Sequence, residues 1–141
     1  MMHATVVSIG GRGVLLAGGS GRGKSDLALR LIDRGAVLVA DDYAEYEVFA
    51  GSLIARAPVA TAGLIEIRGV GLERLSHQDA VVVALFVDLD PLPERLPELT
   101  VRDVRGVAIP EIALAALEAS APLKVEAALR RFGLAVECVP E

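Results

Sequence analysis

The chain has 141 residues, 14 Lys plus Arg against 19 Asp plus Glu, a formal net charge of -5 and 53% hydrophobic residues. That length suits one domain, and so high an apolar fraction beside 23% charged residues excludes a wholly disordered chain. The acid excess lacks the basic footprint that holds a protein on nucleic acid or on an anionic membrane, so neither partner is expected. Trp is absent and aromatic residues make up 4%, which leaves an aliphatic core of the kind that fills a parallel or mixed sheet covered by helices. The single cysteine, Cys138, cannot form an intramolecular disulfide, and the apolar start Met1–Ile9 lacks the layout of a secretion signal. The longest apolar run, Ala80–Val87, is far shorter than a bilayer span. The expected location is the cytoplasm.

Two short apolar segments open the chain, Thr5–Ile9 and Gly13–Ala17, joined by a glycine-rich turn, and they predict a β-hairpin. GGSGRGKS follows at Gly18–Ser25, and then Leu27, Ala28, Leu31 and Ile32 fall on one helical face before Gly35 stops it. The order is strand, glycine loop, helix. Val37–Ala40 predicts a third strand that ends at Asp41 and Asp42, while Tyr43–Arg56, with a turn at Ala50–Ser52, and Leu64–Arg68 predict an antiparallel addition. Ala80–Leu89 is the strongest strand, buried on both faces. Pro91, Pro93 and Pro97 then predict a loop that lasts until the final helix, which begins near Ser120 with Pro122 in its first turn and ends at Gly133. No repeat or linker divides the chain, so a single domain over residues 1–141 is expected.

Gly18, Gly23, Lys24 and Ser25 satisfy the pattern G-x-x-x-x-G-K-S, with Gly19, Ser20, Gly21 and Arg22 between them. At this composition a chance match arises in roughly one chain in a thousand. Such a loop wraps a polyphosphate with successive backbone N–H groups, and the helix N-terminus adds a favourable dipole. Lys24 then meets the β and γ phosphates, and the Ser25 hydroxyl ligates Mg²⁺. Asp41 and Asp42 stand where nucleotide-binding α/β proteins place an acid, at the carboxyl edge of the sheet. Neighbouring strand residues point oppositely, which divides their roles: one orients a metal-bound water or caps a loop and the other acts as base, or both simply solvate the strand end. Leu64, Glu66 and Arg68 share one strand face, as a Mg²⁺ ligand beside a phosphate-binding cation or as an ordinary surface ion pair. His3 and His77 lack metal-ligand spacing, and pattern alone reads each as a surface residue.

Together these motifs resemble HPr kinase/phosphorylase, the bacterial P-loop enzymes that phosphorylate a serine on HPr, the phosphocarrier of the sugar phosphotransferase system. GVLLAGGSGRGKSDLALRLIDRGAVLVADD is similar to that family's strand, P-loop, helix and ADD segment without a gap, and LIEIRGVGL to its LEIRGLGI signature. AVVVALFVDL, ERL and RGVAIP extend the likeness over nearly the whole chain. The resemblance implies an α/β fold, a P-loop-containing mixed sheet with flanking helices, acting with ATP and Mg²⁺ on an HPr-like phosphocarrier. It gives Lys24 the phosphate contact, Ser25 and Glu66 the Mg²⁺ ligands, and Asp42 the proton from the substrate serine. His3 falls at the family's catalytic histidine and Arg95 at its catalytic arginine, while Asp41, Arg68, Gly69 and Gly71 shape the site.

Two departures qualify the likeness. The family's amino-terminal domain has no counterpart in this sequence, which implies a short form and leaves open whether it forms a homo-oligomer. Its RPGRN-like segment, tied to the reverse phosphorolysis, is replaced by EIALAALEASAP, which implies weak or absent phosphorylase activity. Two other functions share the scaffold: a nucleotide-sensing regulatory module without phosphotransfer, and a small-molecule kinase. Asp42 and Glu66 beside an intact P-loop favour the enzyme, since binding alone needs no base.

Overall fold

The structure, a computed structural model, describes residues 2–136, so Cys138 lies outside the described residues. The elements in chain order are β1 (Met2–Ile9), β2 (Arg12–Ala17), α1 (Lys24–Asp33), β3 (Val37–Ala40), β4 (Tyr43–Phe49) and β5 (Ser52–Arg56). A short 3-10 turn at Val59–Thr61 leads to β6 (Leu64–Ile67), β7 (Gly71–Arg74), β8 (Ala80–Asp88), β9 (Thr100–Val104), β10 (Val107–Ala113) and α2 (Ala121–Phe132). The main sheet has eight strands in the order β2-β1-β4-β5-β8-β10-β9, with β3 beside β1. β8 pairs in parallel with both β2 and β10, and its other neighbour, β5, is antiparallel, so the sheet is mixed.

Because β2 pairs with β8 as well as with β1, the strands β2, β1, β4, β5 and β8 close on themselves. The alternation of side chains then sorts the aliphatic residues into two cores. Val6, Leu15, Ala44, Leu53, Val81 and Val83 face the concave side and fill the curled sheet. Val7, Val14, Leu16, Leu85 and Val87 face outward, where Leu27 and Leu31 of α1 and Val125 and Leu129 of α2 cover them. Both helices thus serve one face, and the other face is buried by the sheet's own curvature. β8 contributes to both cores, which is why its composition is apolar throughout, as its sequence predicted.

Two expectations need correction. β6 does not extend the antiparallel part of the main sheet: it pairs with β7 in a separate two-stranded hairpin. The stretch read as a loop up to Ser120 holds β9 and β10, an antiparallel pair in which Val107 faces Val104. Its turn is Arg105 and Gly106, both left-handed with φ of 52° and 84°, the geometry a two-residue hairpin requires. The prolines do end regular structure, but only across residues 89–99; Pro110 is accommodated inside β10, next to Glu111, where parallel pairing with β8 begins. The strand β7 was missed because its residues Gly71–Arg74 are all exposed and show no buried face.

The concave core contains one polar misfit. Tyr46 is 8% exposed, and its hydroxyl is buried without a hydrogen-bond partner among the described residues. Burial pushes the phenol's pKa above its ordinary value, because the charged form is disfavoured there. An unpaired buried hydroxyl costs about 1–3 kcal/mol, so Tyr46→Phe should leave stability unchanged or raise it by about 1 kcal/mol in urea denaturation. A loss of comparable size would show that the hydroxyl is satisfied. The unfolded chain ionises Tyr46 first as the pH rises past about 10, so the wild type should lose more stability there than the Phe variant.

Candidate active site

The glycine loop runs from the end of β2 to the start of α1. Gly23 sits at the helix N-cap with φ of 89°, and a side chain there would meet the Cδ2 of Leu117 at 3.1 Å and the Cβ of Ala116 at 3.3 Å. Only glycine meets both demands. Lys24, the first residue of α1, is 7% exposed, and its Nζ donates to the carbonyls of Gly18 at 2.8 Å and Gly19 at 3.2 Å. Among the described residues no carboxylate pairs with it. A buried ammonium held only by backbone dipoles attracts an anion.

Asp41 follows β3 and joins three elements. Its Oδ1 accepts from Ser25 Oγ at 2.6 Å and from Thr5 Oγ1 at 3.0 Å, and its Oδ2 from the backbone N–H of Glu66 at 3.1 Å. The first acid of the pair therefore holds the serine that follows the glycine loop, while the second turns the other way. Asp42 has φ of 72°, a left-handed conformation that Asp tolerates, and its carboxylate meets the Nε2 of His3. The His3 ring stacks on Tyr43 at 5.1 Å between centroids. Strand pairing sets this arrangement: β1 pairs with β3 through Val6 and Ala40 and with β4 through His3 and Tyr43. The two acids occupy the corner between those pairings, and the Asp42 carbonyl accepts from the N–H of Ala4 at 2.9 Å.

A cleft of about 420 Å³ opens over these groups. It brings together His3, Ser20, Gly21, Gly23, Lys24, Ser25, Asp42, Glu66 and Arg68 from the expected set. Glu66 in β6 and Arg68 just after it both line the cleft, and so does Ile67 between them, so the shared strand face is not what selects them. Gly18, Gly19 and Arg22 shape the loop from outside the cleft lining, and Asp41 stands behind Ser25. Gly69 and Gly71, with φ of 84° and 133°, form the tight connection between β6 and β7. Arg95 differs: it is an exposed residue of the loop 89–99 and is not among the lining residues, so the structure does not bring the expected catalytic arginine to the cleft. The prolines that fix the local backbone hold that loop outside the sheet.

Three contributors escaped the motifs. Thr5 is a fully buried hydroxyl between the apolar Ala4 and Val6 of β1, and that polarity was the available signal. Asp90, just beyond β8, accepts from the N–H of Gly19 at 2.9 Å and pairs with Arg22 Nε at 3.3 Å. Leu117 joins Leu29 and Ile67 as the apolar wall of the cleft. Its segment is pinned to α1 by Arg30, which donates to the carbonyls of Ala116 and Glu118. Neither Asp90 nor Leu117 belongs to a pattern that spacing could reveal.

Known proteins resemble this chain in sequence and in fold. The family model of the HPr serine kinase C-terminal domain matches residues 1–78. The HPr kinase/phosphorylase of Clostridium beijerinckii is 45% identical over 71 residues, which cover 50% of this chain and 24% of that protein. The HPr kinase/phosphorylase of Mycoplasmopsis pulmonis is 44% identical over 71 residues, 50% of this chain and 23% of its own length. The matched stretch thus spans about a quarter of these relatives. The solved structure of the Hpr(Ser) kinase/phosphatase from Coxiella burnetii superposes with a TM-score of 0.80 at 29% identity, covering 92% of this chain and 93% of the other. With more than half of its residues matched by the family model and a mixed α/β fold shared along nearly its whole length, the chain belongs to the HPr serine kinase C-terminal domain family.

Proposed function

We propose that residues 1–141 form a single P-loop kinase domain that binds Mg·ATP in the cleft and phosphorylates a serine of an HPr-like phosphocarrier in the cytoplasm. The observation that carries this reading is the meeting of two sets of groups in one cleft: Lys24 and Ser25 at the head of α1, and the Asp42–His3 pair at its mouth. The first set suits a polyphosphate, and the second suits a hydroxyl that must lose a proton. Family membership supports the same activity.

On this reading Lys24 exchanges the carbonyls of Gly18 and Gly19 for phosphate oxygens, and the N–H groups at the start of α1 hold the rest of the chain of phosphates. The donor set beside it suits Mg²⁺: a serine hydroxyl 2.6 Å from a carboxylate, with Glu66 in the same cleft, offers the hard oxygens this ion prefers. Ser25 and Glu66 would hold the ion, with Asp41 orienting Ser25, and bound Mg²⁺ neutralises charge on the phosphates. Asp42 takes the proton of the incoming serine as its oxygen attacks the γ-phosphorus, and the bond to ADP breaks on the opposite side. His3 keeps the carboxylate aimed at the opening. Their side chains are 42% and 55% exposed, so a serine on a protein surface can reach them.

The reverse reaction is proposed to be weak or absent. Inorganic phosphate attacking a phosphoserine brings two anions together, and cationic side chains must offset the repulsion. Residues 111–122, where the family carries its basic segment, send only the apolar Leu117 to the cleft.

Incubating the protein with labelled ATP, Mg²⁺ and HPr-like phosphocarriers, then locating the phosphate, tests the central reading; label that never reaches a serine would overturn it. Lys24→Ala should weaken ATP binding and abolish transfer, and Lys24→Arg should not restore it fully, because a planar guanidinium does not replace a compact ammonium. Calorimetric titration with ATP checks both. Asp42→Asn should keep Mg·ATP binding and lower turnover by a factor of about a hundred. Asp41→Asn should instead weaken Mg²⁺-dependent binding, since it loosens Ser25; the opposite pattern would reverse the two roles. Phosphorylated acceptor supplied with excess phosphate and Mg²⁺ should release little pyrophosphate, and rapid release would refute the one-way assignment.

A further inference from the structure

The parallel pairing of β2 with β8 places Ala17 opposite Asp88, so the residues after Asp88 emerge beside the glycine loop. Leu89 continues the contact by donating its N–H to the Ala17 carbonyl at 2.8 Å. Asp88 Oδ1 accepts from the N–H of Asp90 at 3.0 Å, and this tight turn directs the Asp90 carboxylate back onto the loop. There it accepts from the Gly19 N–H at 2.9 Å and pairs with Arg22 at 3.3 Å. Asp88 is itself held from the other side by Arg102 at 3.3 Å, a guanidinium that also bonds Glu111 at 2.6 Å and lies 4.6 Å over the Phe86 ring.

We propose that Asp90 is a positioning residue for nucleotide binding, which holds the glycine loop in its open, phosphate-receiving shape before the nucleotide arrives. This rests on the reading of the loop as the phosphate site. The loop contains Gly18, Gly19, Gly21 and Gly23, the residue type with the most conformational freedom to lose. Gly21 has nothing packed within 4 Å of where a side chain would stand. Ordering such a segment on binding costs affinity, and a contact that orders it in advance recovers that affinity. The two groups Asp90 engages, the Gly19 N–H and the Arg22 side chain, belong to residues outside the cleft lining. Ser20, Gly21, Gly23, Lys24 and Ser25 are left facing the cleft. Asp90 therefore restrains the loop without occupying its binding groups. Arg102 and Asp88 extend the restraint to β9 and β10.

The test compares wild type, Asp90→Ala and Asp90→Asn by ATP calorimetry, steady-state kinetics and thermal unfolding. Asp90→Ala should weaken Mg·ATP binding and raise KM about three- to tenfold, the effect of losing a charge-assisted hydrogen bond at a half-exposed site. Its kcat should stay within about twofold and its thermal midpoint should not move. Asp90→Asn should recover most of the affinity, because its side-chain oxygen still accepts from Gly19. Wild-type affinity in Asp90→Ala would overturn the proposal alone. Equal loss in both variants together with a lowered midpoint would also overturn it, by showing a merely structural role. Failure of the wild-type chain to bind Mg·ATP would overturn the reading of the loop, and this proposal with it.

Discussion

One carboxylate holds the site together. Asp41 accepts hydrogen bonds from Thr5 in β1, from Ser25 in α1 and from the backbone of Glu66 in β6. These segments are far apart in sequence, and their donors converge on two oxygens that lie partly out of water. A carboxylate in such a place needs its donors, because an ionised group removed from solvent without partners is costly. The donors in turn are held by it. The distance between the start of α1 and the signature strand β6, which sets the width of the cleft, follows from this arrangement.

The second acid depends on the first through the backbone. Asp41 and Asp42 lie where β1 passes from pairing with β3 to pairing with β4, and the left-handed φ at Asp42 turns the chain at that corner. One acid is thereby turned inward to Ser25 and the other outward to His3. The division of roles is a consequence of sheet geometry. The closed ring of strands behind this corner, packed with Val, Leu and Ala, gives it a stiff support, since a core at crystal-like density does not yield to small displacements.

The glycine loop is restrained from three directions. Lys24 bonds its first two carbonyls, Asp90 bonds the N–H of Gly19, and the segment pinned by Arg30 closes over Gly23 through Ala116 and Leu117. That segment sets the apolar side chain of Leu117 on the wall of the cleft.

Residue pattern alone was enough for the first hairpin, the glycine loop, α1, the acidic strand end and the doubly buried β8, because each is local. Helical spacing, an apolar run or a phosphate-loop signature records what a short segment must do by itself. Likeness to a known family added His3, Asp42 and Glu66 to one site, and the structure brings all three to the cleft with Lys24 and Ser25. It does not bring Arg95 there, since a matching tripeptide carries no information about the proline-bent loop that holds it. The hairpin of β9 and β10 was missed because its Arg105–Gly106 turn lacks the usual Asn or Asp, and because prolines nearby argued against strands. The closure of the sheet, the hub at Asp41 and the contact of Asp90 with Gly19 were decided only by tertiary structure. Each joins residues distant in the chain through strand pairing, and no local periodicity encodes which strands lie side by side.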